Sequence, residues 1–363
     1  MSRTLRVFYN ASALPERPAG AGIYTLELGR ALAERDDIEL VVAAPRDPGF
    51  GERVSTPPNL RGRTAWEFAA LQHVLRKVRA DVYHGPHMFT PRAGIPTVAT
   101  VHDLTFQRLP RRYGFAHRHY YRYLARTAKR ADRIIVPSAT VAGEVVRFLG
   151  YPPERIRVVY EAARVGLGPA DEDAVEAFRA RHGLSGPYFA CLGTAEPGKR
   201  AVDAIRAMPA ILGRCPEAVL ALAGGPGRLS AALEREARRL GVGNAVRFLG
   251  YLPDGDVAPF LTGAVALIFP SLFEGFGLPP LEALSCGTPV ISSDAPAMSE
   301  VLKGGALLVP VGRPGAIAAA ALELLATGEQ RAERAHAARA FAARFSWAKA
   351  AEETVSVYRE LAG

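Results

Sequence analysis

The sequence predicts an α/β protein with two domains, each built around its own parallel sheet. Short apolar runs alternate with stretches of helical periodicity, and the alternation starts again near residue 188. Such alternation is typical of βαβ units. The 363 residues also suit two domains, because a domain usually contains about 100 to 200 residues. The predicted strands are residues 5–8, 40–43, 82–84, 97–101, 133–136, 188–192, 218–222, 246–249, 264–269, 289–292 and 306–309, and the clearest helices are residues 24–34 and 67–79.

A segment rich in glycine, alanine and acidic residues separates the two sets of strands at residues 161–186. We therefore expect an N-terminal domain over residues 1–165 and a C-terminal domain over residues 166–345. The remaining residues, 346–363, open with a serine at a helix-cap position and keep apolar residues at helical spacing. They predict a C-terminal helix that packs back on the N-terminal domain.

The composition is that of an ordinary globular protein, with 49% hydrophobic and 22% charged residues. No apolar run approaches the roughly 20 residues of a membrane-spanning helix, and the first residues are too polar for a signal peptide. Three scattered cysteines fit neither a disulfide framework nor a zinc site. A cytoplasmic location is expected.

Positive charge is concentrated in the first 170 residues, which carry a net +11, whereas the remainder carries −2. Recognisable nucleic-acid-binding motifs are missing, so no nucleic-acid partner is expected. Nine cations crowd residues 108–133, and four of them, Arg118, Arg122, Arg126 and Arg130, recur every four residues, which predicts that these four share one helix face. This face fits either an anionic lipid-linked acceptor or the inner surface of a membrane, or else an ordinary solvated helix. The cations are Arg108, Arg111, Arg112, Arg118, Arg122, Arg126, Lys129, Arg130 and Arg133.

The most informative string covers residues 269–294, where a predicted strand leads through a glycine-rich loop into a helix. Parallel α/β sheets bind ligands at such strand ends, and the free amides of a helix N-terminus attract phosphate. Glu274 lies in the loop, and we place Glu282 in the first turn of the helix. Carboxylates accept hydrogen bonds from hydroxyl groups, so the pair suits a sugar and a ribose. The alternative for Glu282 is that it complements the helix dipole.

The string Glu274-Gly-Phe-Gly-Leu-Pro-Pro-Leu-Glu282 closely resembles the paired-glutamate signature of family-4 retaining glycosyltransferases. Further similar stretches, in the family's order, extend over nearly the whole chain. The resemblance implies the GT-B fold, in which two Rossmann-like domains face each other across a cleft. It also implies transfer of a hexose from a nucleotide diphosphate sugar to an acceptor hydroxyl. The supporting stretches are residues 20–24, 101–104, 193–199, 222–225, 247–251 and 287–291.

The resemblance assigns most of the donor site to this string and to one lysine. Glu274 would hold sugar hydroxyls, Glu282 the ribose, and the backbone of the intervening loop the sugar and diphosphate. Lys199 would bind the diphosphate, although a solvated lysine is the usual alternative. The loop residues concerned are Gly275, Phe276, Gly277 and Leu278.

The loop of Lys199 departs from the family pattern. Relatives usually carry arginine at the positions of Gly198 and Thr194, so less cationic charge is available here. Arg200 is a candidate substitute. The missing arginines also leave open a nucleotide-sugar binding protein without turnover.

Two N-terminal positions are further candidates. Gly22 follows the first predicted strand, where a glycine either lets a phosphate approach the backbone or forms a plain tight turn. His102 ends a predicted strand, where histidines are often packed or capping residues. In the family the matching histidine lies beside the transferred sugar, so the resemblance implies a catalytic role.

The nucleotide is open between GDP and UDP. Asp254 lies in the loop where relatives place the base, and a carboxylate can accept both adjacent donors of guanine. This favours GDP-mannose, while an aspartate that serves a turn is the alternative. No Asp-x-Asp tripeptide occurs in the loops expected to face the cleft, so we expect no metal and no other cofactor besides the nucleotide sugar.

Overall fold

The computed structural model describes residues 3–109, 114–225, 227, 229–325 and 329–362. The chain divides into two compact units. The first contains Met1–Ala162 and Ser346–Gly363, and the second contains Ala163–Phe345. Each unit has one sheet in which all described strand pairs are parallel, which confirms the predicted α/β class with two sheets.

The sheet of the first unit has seven strands in the order β3-β2-β1-β4-β5-β6-β7. The sequence did not predict β3 and β7. Both are short edge strands, and β3 has a single apolar residue, so neither produces an apolar run. The strands are β1 Leu5–Asn10, β2 Ile38–Ala44, β3 Glu52–Ser55, β4 Val82–Gly85, β5 Thr97–Thr100, β6 Arg133–Val136 and β7 Ile156–Val158.

Six α-helices lie in the described residues of the first unit before the chain enters the second unit. The helix predicted over residues 67–79 is in fact two helices that meet at Ala70, and the first of them begins at Leu60. Asn59 caps it by accepting a hydrogen bond from the amide of Gly62 at 2.7 Å. The helices are α1 Ala21–Ala33, α2 Leu60–Ala69, α3 Leu71–Val78, α4 Thr105–Arg108, α5 Phe115–Ala128 and α6 Ala139–Glu144.

The sheet of the second unit has six strands in the order β10-β9-β8-β11-β12-β13. Its strands begin and end within two residues of the predicted limits. They are β8 Tyr188–Leu192, β9 Val219–Ala223, β10 Val246–Gly250, β11 Ala266–Phe269, β12 Val290–Ser293 and β13 Leu307–Val309. The helices are α7 Glu172–His182, α8 Ala201–Leu212, α9 Ser230–Arg239, α10 Asp254–Thr262, α11 Leu278–Ser285, α12 Pro296–Val301, α13 Pro314–Leu324 and α14 Glu329–Ala342.

The last helix, α15 (Trp347–Ala362), packs against α1 and β4 of the first unit. The Trp347 ring meets the Tyr24 ring edge-on at 5.8 Å between centroids. At the other end of the helix, the Tyr358 hydroxyl lies 2.6 Å from Nδ1 of the buried His84. None of the helices in the described part of the chain combines the length and apolar character needed to cross a membrane.

Candidate functional site

A cavity of about 220 Å³ lies at the carboxyl ends of the strands in the second unit. The strand order changes direction between β8 and β11, so the loops that leave these strands diverge and open a crevice. Leu222, Phe248 and Phe269 contribute apolar surface to the cavity, and Lys199 contributes a cation. Its place in the sheet and this lining make it a candidate ligand site.

Backbone contacts hold the loops around this cavity together. The Gly193 amide donates to the Ala223 carbonyl at 2.8 Å, and the Gly224 amide donates to the Gly250 carbonyl at 2.7 Å. Gly224 has φ 148°, and a Cβ atom there would lie 2.2 Å from the Gly193 carbonyl oxygen. A side chain at position 224 would therefore push the loops after β8 and β9 apart.

Lys199 and Glu274, both predicted site residues, lie side by side. The Lys199 Nζ atom is 2.7 Å from Oε1 of Glu274. Their loops are joined by the Leu272 amide, which donates to the Gly198 carbonyl at 2.8 Å. An ammonium has three donors and a carboxylate two oxygens, so this ion pair leaves groups of both kinds for a ligand.

The loop between Glu274 and α11 turns sharply at Gly277. This residue has φ 101°, and a Cβ atom there would lie 2.7 Å from the Met298 methyl carbon. Only glycine fits both the backbone conformation and the space. The turn sets the direction in which α11 begins.

The other residues of this loop have no polar side chain that could bind a ligand. The Phe276 and Leu278 side chains are buried, and Gly275 is half-exposed. The first N–H groups of a helix have no partner within it. In α11 the next two residues, Pro279 and Pro280, carry no N–H, so this leaves the amide of Leu278. A ligand at this N-terminus would meet the Leu278 amide.

The placement of Glu282 in the first helical turn was wrong. It is the fifth residue of α11, beyond the first turn, and its side chain is only 3% exposed. The helix dipole therefore does not account for this carboxylate. Its Oε1 atom instead accepts a hydrogen bond from Nε of Arg164 at 2.6 Å.

Arg164 also binds Asp254, the predicted base-binding residue. Its Nη1 atom donates to Oδ1 of Asp254 at 2.8 Å, and Asp254 is the first residue of α10. Burial alone would lower the pKa of Arg164, but its hydrogen bond to Glu282 and its attraction to both carboxylates raise it. No sequence pattern indicated a role for Arg164, because it lies in the segment interpreted as an interdomain connection and 118 residues from Glu282.

Arg200 does not stand in for the missing family arginines. Its guanidinium makes two hydrogen bonds to the Asp203 carboxylate, at 2.5 and 2.9 Å. Asp203 is 1% exposed, so Arg200 neutralises a buried acid next to it. Lys199 is then the cation that the structure places beside the predicted glutamate.

In the first unit, His102 is held from both sides. Its Nε2 atom lies 2.9 Å from the Pro86 carbonyl oxygen, and its Nδ1 atom lies 3.1 Å from Oε1 of Glu161. A carbonyl oxygen only accepts hydrogen bonds, so Nε2 donates to Pro86, and one proton is shared between Nδ1 and the Glu161 carboxyl group. Burial alone would lower the pKa of His102, but the hydrogen bond and charge of Glu161 raise it. Both ring nitrogens of His102 therefore have a polar partner, and Glu161 is a partner that the sequence did not reveal.

Gly22 is the second residue of α1 and is buried. Its amide donates to the Ala19 carbonyl at 3.0 Å, and a Cβ atom would lie 3.2 Å from the Pro18 Cβ atom. The donor that a phosphate would need is therefore in use. The structure favours the tight turn for this glycine.

Within the cationic stretch of residues 108–133, Arg108 belongs to α4 and Arg133 to β6, and Arg111 and Arg112 lie outside the described residues. Arg118, Arg122 and Arg126 lie in α5. Leu124, Ala125 and Ala128 of this helix are buried. The opposite face exposes Arg122, Arg126, Lys129 and Arg130, the last two just beyond the helix. Among the described residues, no group of three or more histidine, cysteine or acidic side chains is arranged to hold a metal ion.

Comparison with known families gives a match in each half of the chain. The model of the family described as "Glycosyl transferases group 1" matches residues 173–341. The model described as "Glycosyltransferase Family 4" matches residues 18–163.

Individual relatives agree with these matches. An O-antigen chain mannosyltransferase B from Escherichia coli is 28% identical over 82% of this chain and 77% of its own length. A D-inositol 3-phosphate glycosyltransferase from Streptomyces scabiei is 33% identical over 63% of this chain, which spans 54% of that relative.

Solved structures show the same fold at lower identity. Anabaena HepE in complex with UDP and glucose has a TM-score of 0.79 and 19% identity, with 98% of this chain and 100% of HepE covered. WaaG, a glycosyltransferase involved in lipopolysaccharide biosynthesis, has a TM-score of 0.73 and 18% identity over 97% and 99% of the two chains. These similarities confirm the predicted GT-B fold.

Proposed function

The chain belongs to the family 4 and group 1 glycosyltransferases, and from that membership we propose that it transfers mannose from GDP-mannose to an acceptor hydroxyl with retention of configuration. Use of a nucleotide sugar follows from the family. The sugar is inferred from two relatives, the O-antigen mannosyltransferases of Escherichia coli and Salmonella typhimurium, which this chain matches over 77% and 85% of their lengths. A UDP-sugar donor is the second candidate, because HepE binds UDP and glucose.

The observation that carries the proposal is the ion pair of Lys199 and Glu274 beside the cavity. A bound diphosphate would attract the Lys199 ammonium away from Glu274. The Glu274 carboxylate would then accept hydrogen bonds from hydroxyl groups of the sugar. In the absence of donor, the two groups neutralise each other.

The transfer step breaks the bond between the anomeric carbon and the diphosphate oxygen. Negative charge then builds up on the diphosphate, where Lys199 and the Leu278 amide stabilise it. The departing phosphate oxygen accepts the proton of the acceptor hydroxyl, which attacks from the same face of the sugar. This route retains the anomeric configuration and uses no metal ion, since the charge is met by protein groups.

His102 and the exposed face of α5 complete the proposal in the first unit. To contact the sugar 6-hydroxyl, His102 Nε2 would exchange the Pro86 carbonyl for that oxygen while Glu161 keeps the ring charged. The cationic residues of α5 would meet an anionic lipid-linked glycan acceptor or the inner membrane face, in a protein of the cytoplasm.

The test is incubation with GDP-mannose and with UDP-glucose, followed by ¹H NMR of the sugar released or transferred. We expect slow donor hydrolysis without acceptor and an α-linked product with it, for GDP-mannose first. Binding of donor without any hydrolysis or transfer would instead indicate a nucleotide-sugar binding protein. An inverted, β-linked product would contradict the retaining mechanism.

A further inference from the structure

A single guanidinium joins two carboxylates of the second unit. Arg164 donates from Nε to Glu282 and from Nη1 to Asp254, at 2.6 and 2.8 Å. The Glu282 side chain is 3% exposed and that of Asp254 is 81% exposed. The pair therefore has one buried member and one member that faces solvent.

The remaining oxygens of both acids are available. Neither Glu282 nor Asp254 makes another side-chain hydrogen bond within the described residues. Because Nε and Nη1 belong to one planar group, a single side chain fixes the positions of both carboxylates. Each can accept one more hydrogen bond from a ligand that carries two neighbouring donors.

The net charge around Glu282 and Asp254 also depends on Arg164. Two adjacent carboxylates repel each other, and a buried carboxylate is unfavourable unless it is paired. The guanidinium reduces the local charge from −2 to −1, which lessens the repulsion of a nearby diphosphate. Arg164 thus pairs with both acids at the same time.

We propose that Arg164 is a positioning residue that holds Glu282 and Asp254 as a cradle for the vicinal 2′- and 3′-hydroxyl groups of the donor ribose. The inference rests on the proposed function and extends it. We assign Asp254 to the ribose rather than to the edge of the base, because it shares Arg164 with Glu282. Each carboxylate accepts a hydrogen bond from one hydroxyl.

The test compares GDP with 2′,3′-dideoxy-GDP by calorimetry in the wild type and in Arg164→Met. The wild type should bind GDP at least about 10-fold more tightly than 2′,3′-dideoxy-GDP, because the analogue lacks the two hydroxyl groups that donate hydrogen bonds to charged carboxylates. In Arg164→Met, GDP affinity should fall and the preference over the dideoxy analogue should largely disappear. The matched control is Arg206→Met, which removes the 2.6 Å pair with Glu236 in the same unit and should leave the preference intact.

Several results would overturn the inference. A folded Arg164→Met protein that keeps the full preference for GDP would show that Arg164 does not act through the ribose. Tighter GDP binding by this variant would show that Arg164 competes with the nucleotide. If Arg164→Met does not fold, the exposed Asp254→Asn must itself lose part of the preference, and an unchanged preference there counts against the cradle. A wild type that binds neither GDP nor UDP would contradict the proposed function itself, whereas the other results would leave it standing.

Discussion

Lys199 and Glu274 are 75 residues apart in the sequence, yet their side chains form an ion pair of 2.7 Å beside the cavity of the second unit. The pair brings the cation expected to bind the diphosphate next to the carboxylate expected to bind the sugar. The proposed mechanism gives its two members different tasks once a donor is bound, so their substitutions should have different effects.

Lys199→Ala should reduce turnover by about 100-fold or more, the scale for removing one preorganised donor to developing charge. The measurement is steady-state transfer from the donor sugar, with the melting temperature as a check on folding. Lys303→Ala, which removes an exposed lysine of the same unit, is the matched control and should have wild-type turnover. Equal turnover of both variants would remove Lys199 from the mechanism.

Glu274→Ala should abolish most transfer and leave the fold intact, since this carboxylate lies in a loop outside the apolar core. Binding of GDP alone should be kept or improved, because Lys199 is then freed from its partner. Calorimetry with GDP and the transfer assay separate the two effects. A variant with near wild-type turnover would contradict the assignment.

The sequence predicted the features that local patterns encode. All six strands of the second sheet were found because buried parallel strands are continuous apolar runs, whereas the edge strand Glu52–Ser55 has almost none. The Glu274 loop was predicted because adjacent residues indicate both its turn, at Gly277, and the start of the helix, at Pro279 and Pro280. Arg164 and Glu161 were missed because their partners lie 118 and 59 residues away, and no local spacing encodes such a contact.

Removal of divalent metal ions should change little. The mechanism assigns the leaving-group charge to Lys199 and to backbone donors, so excess chelator should leave the transfer rate within about 2-fold of the untreated enzyme. The control is a second assay after readdition of magnesium or manganese. Complete loss of activity in chelator, restored by either ion, would contradict the metal-independent mechanism.

Acid should destabilise the first unit through His84. Its burial, together with the nearby charges of His102 and His87, lowers the pKa of His84 to about 3. An unfolded histidine binds a proton near pH 6.5, so unfolding takes up at least one proton between about pH 6.5 and 3. The free energy of unfolding should then fall by about 1.4 kcal/mol per proton for each unit of pH below 6.5, and His87, whose pKa burial also lowers to about 3, adds a second proton to that of His84.

The pKa of His102 is raised by Glu161, in contrast to that of His84. Its contribution to the free energy of unfolding is therefore present below pH 6.5 and is lost as the pH rises through this raised pKa. Urea unfolding followed by tryptophan fluorescence isolates these effects, since Trp66 and Trp347 both belong to the first unit. The substitution His84→Gln should make the free energy of unfolding less dependent on pH below 6.5. An equally steep fall in this variant would assign the proton uptake to other groups.

The last prediction separates the two roles for Asp254. If this carboxylate binds ribose, Asp254→Asn should weaken GDP and UDP by the same factor, because both nucleotides carry the same sugar. If it binds the base, the affinity for GDP alone should fall, because guanine offers two adjacent hydrogen-bond donors and uracil only one. Titration of both diphosphates by calorimetry decides between them. Asp256→Asn is a suitable control, because Asp256 lies in the same first helical turn but pairs with Arg181 at 2.8 Å. A loss confined to GDP would return Asp254 to the base and refute its place in the ribose cradle.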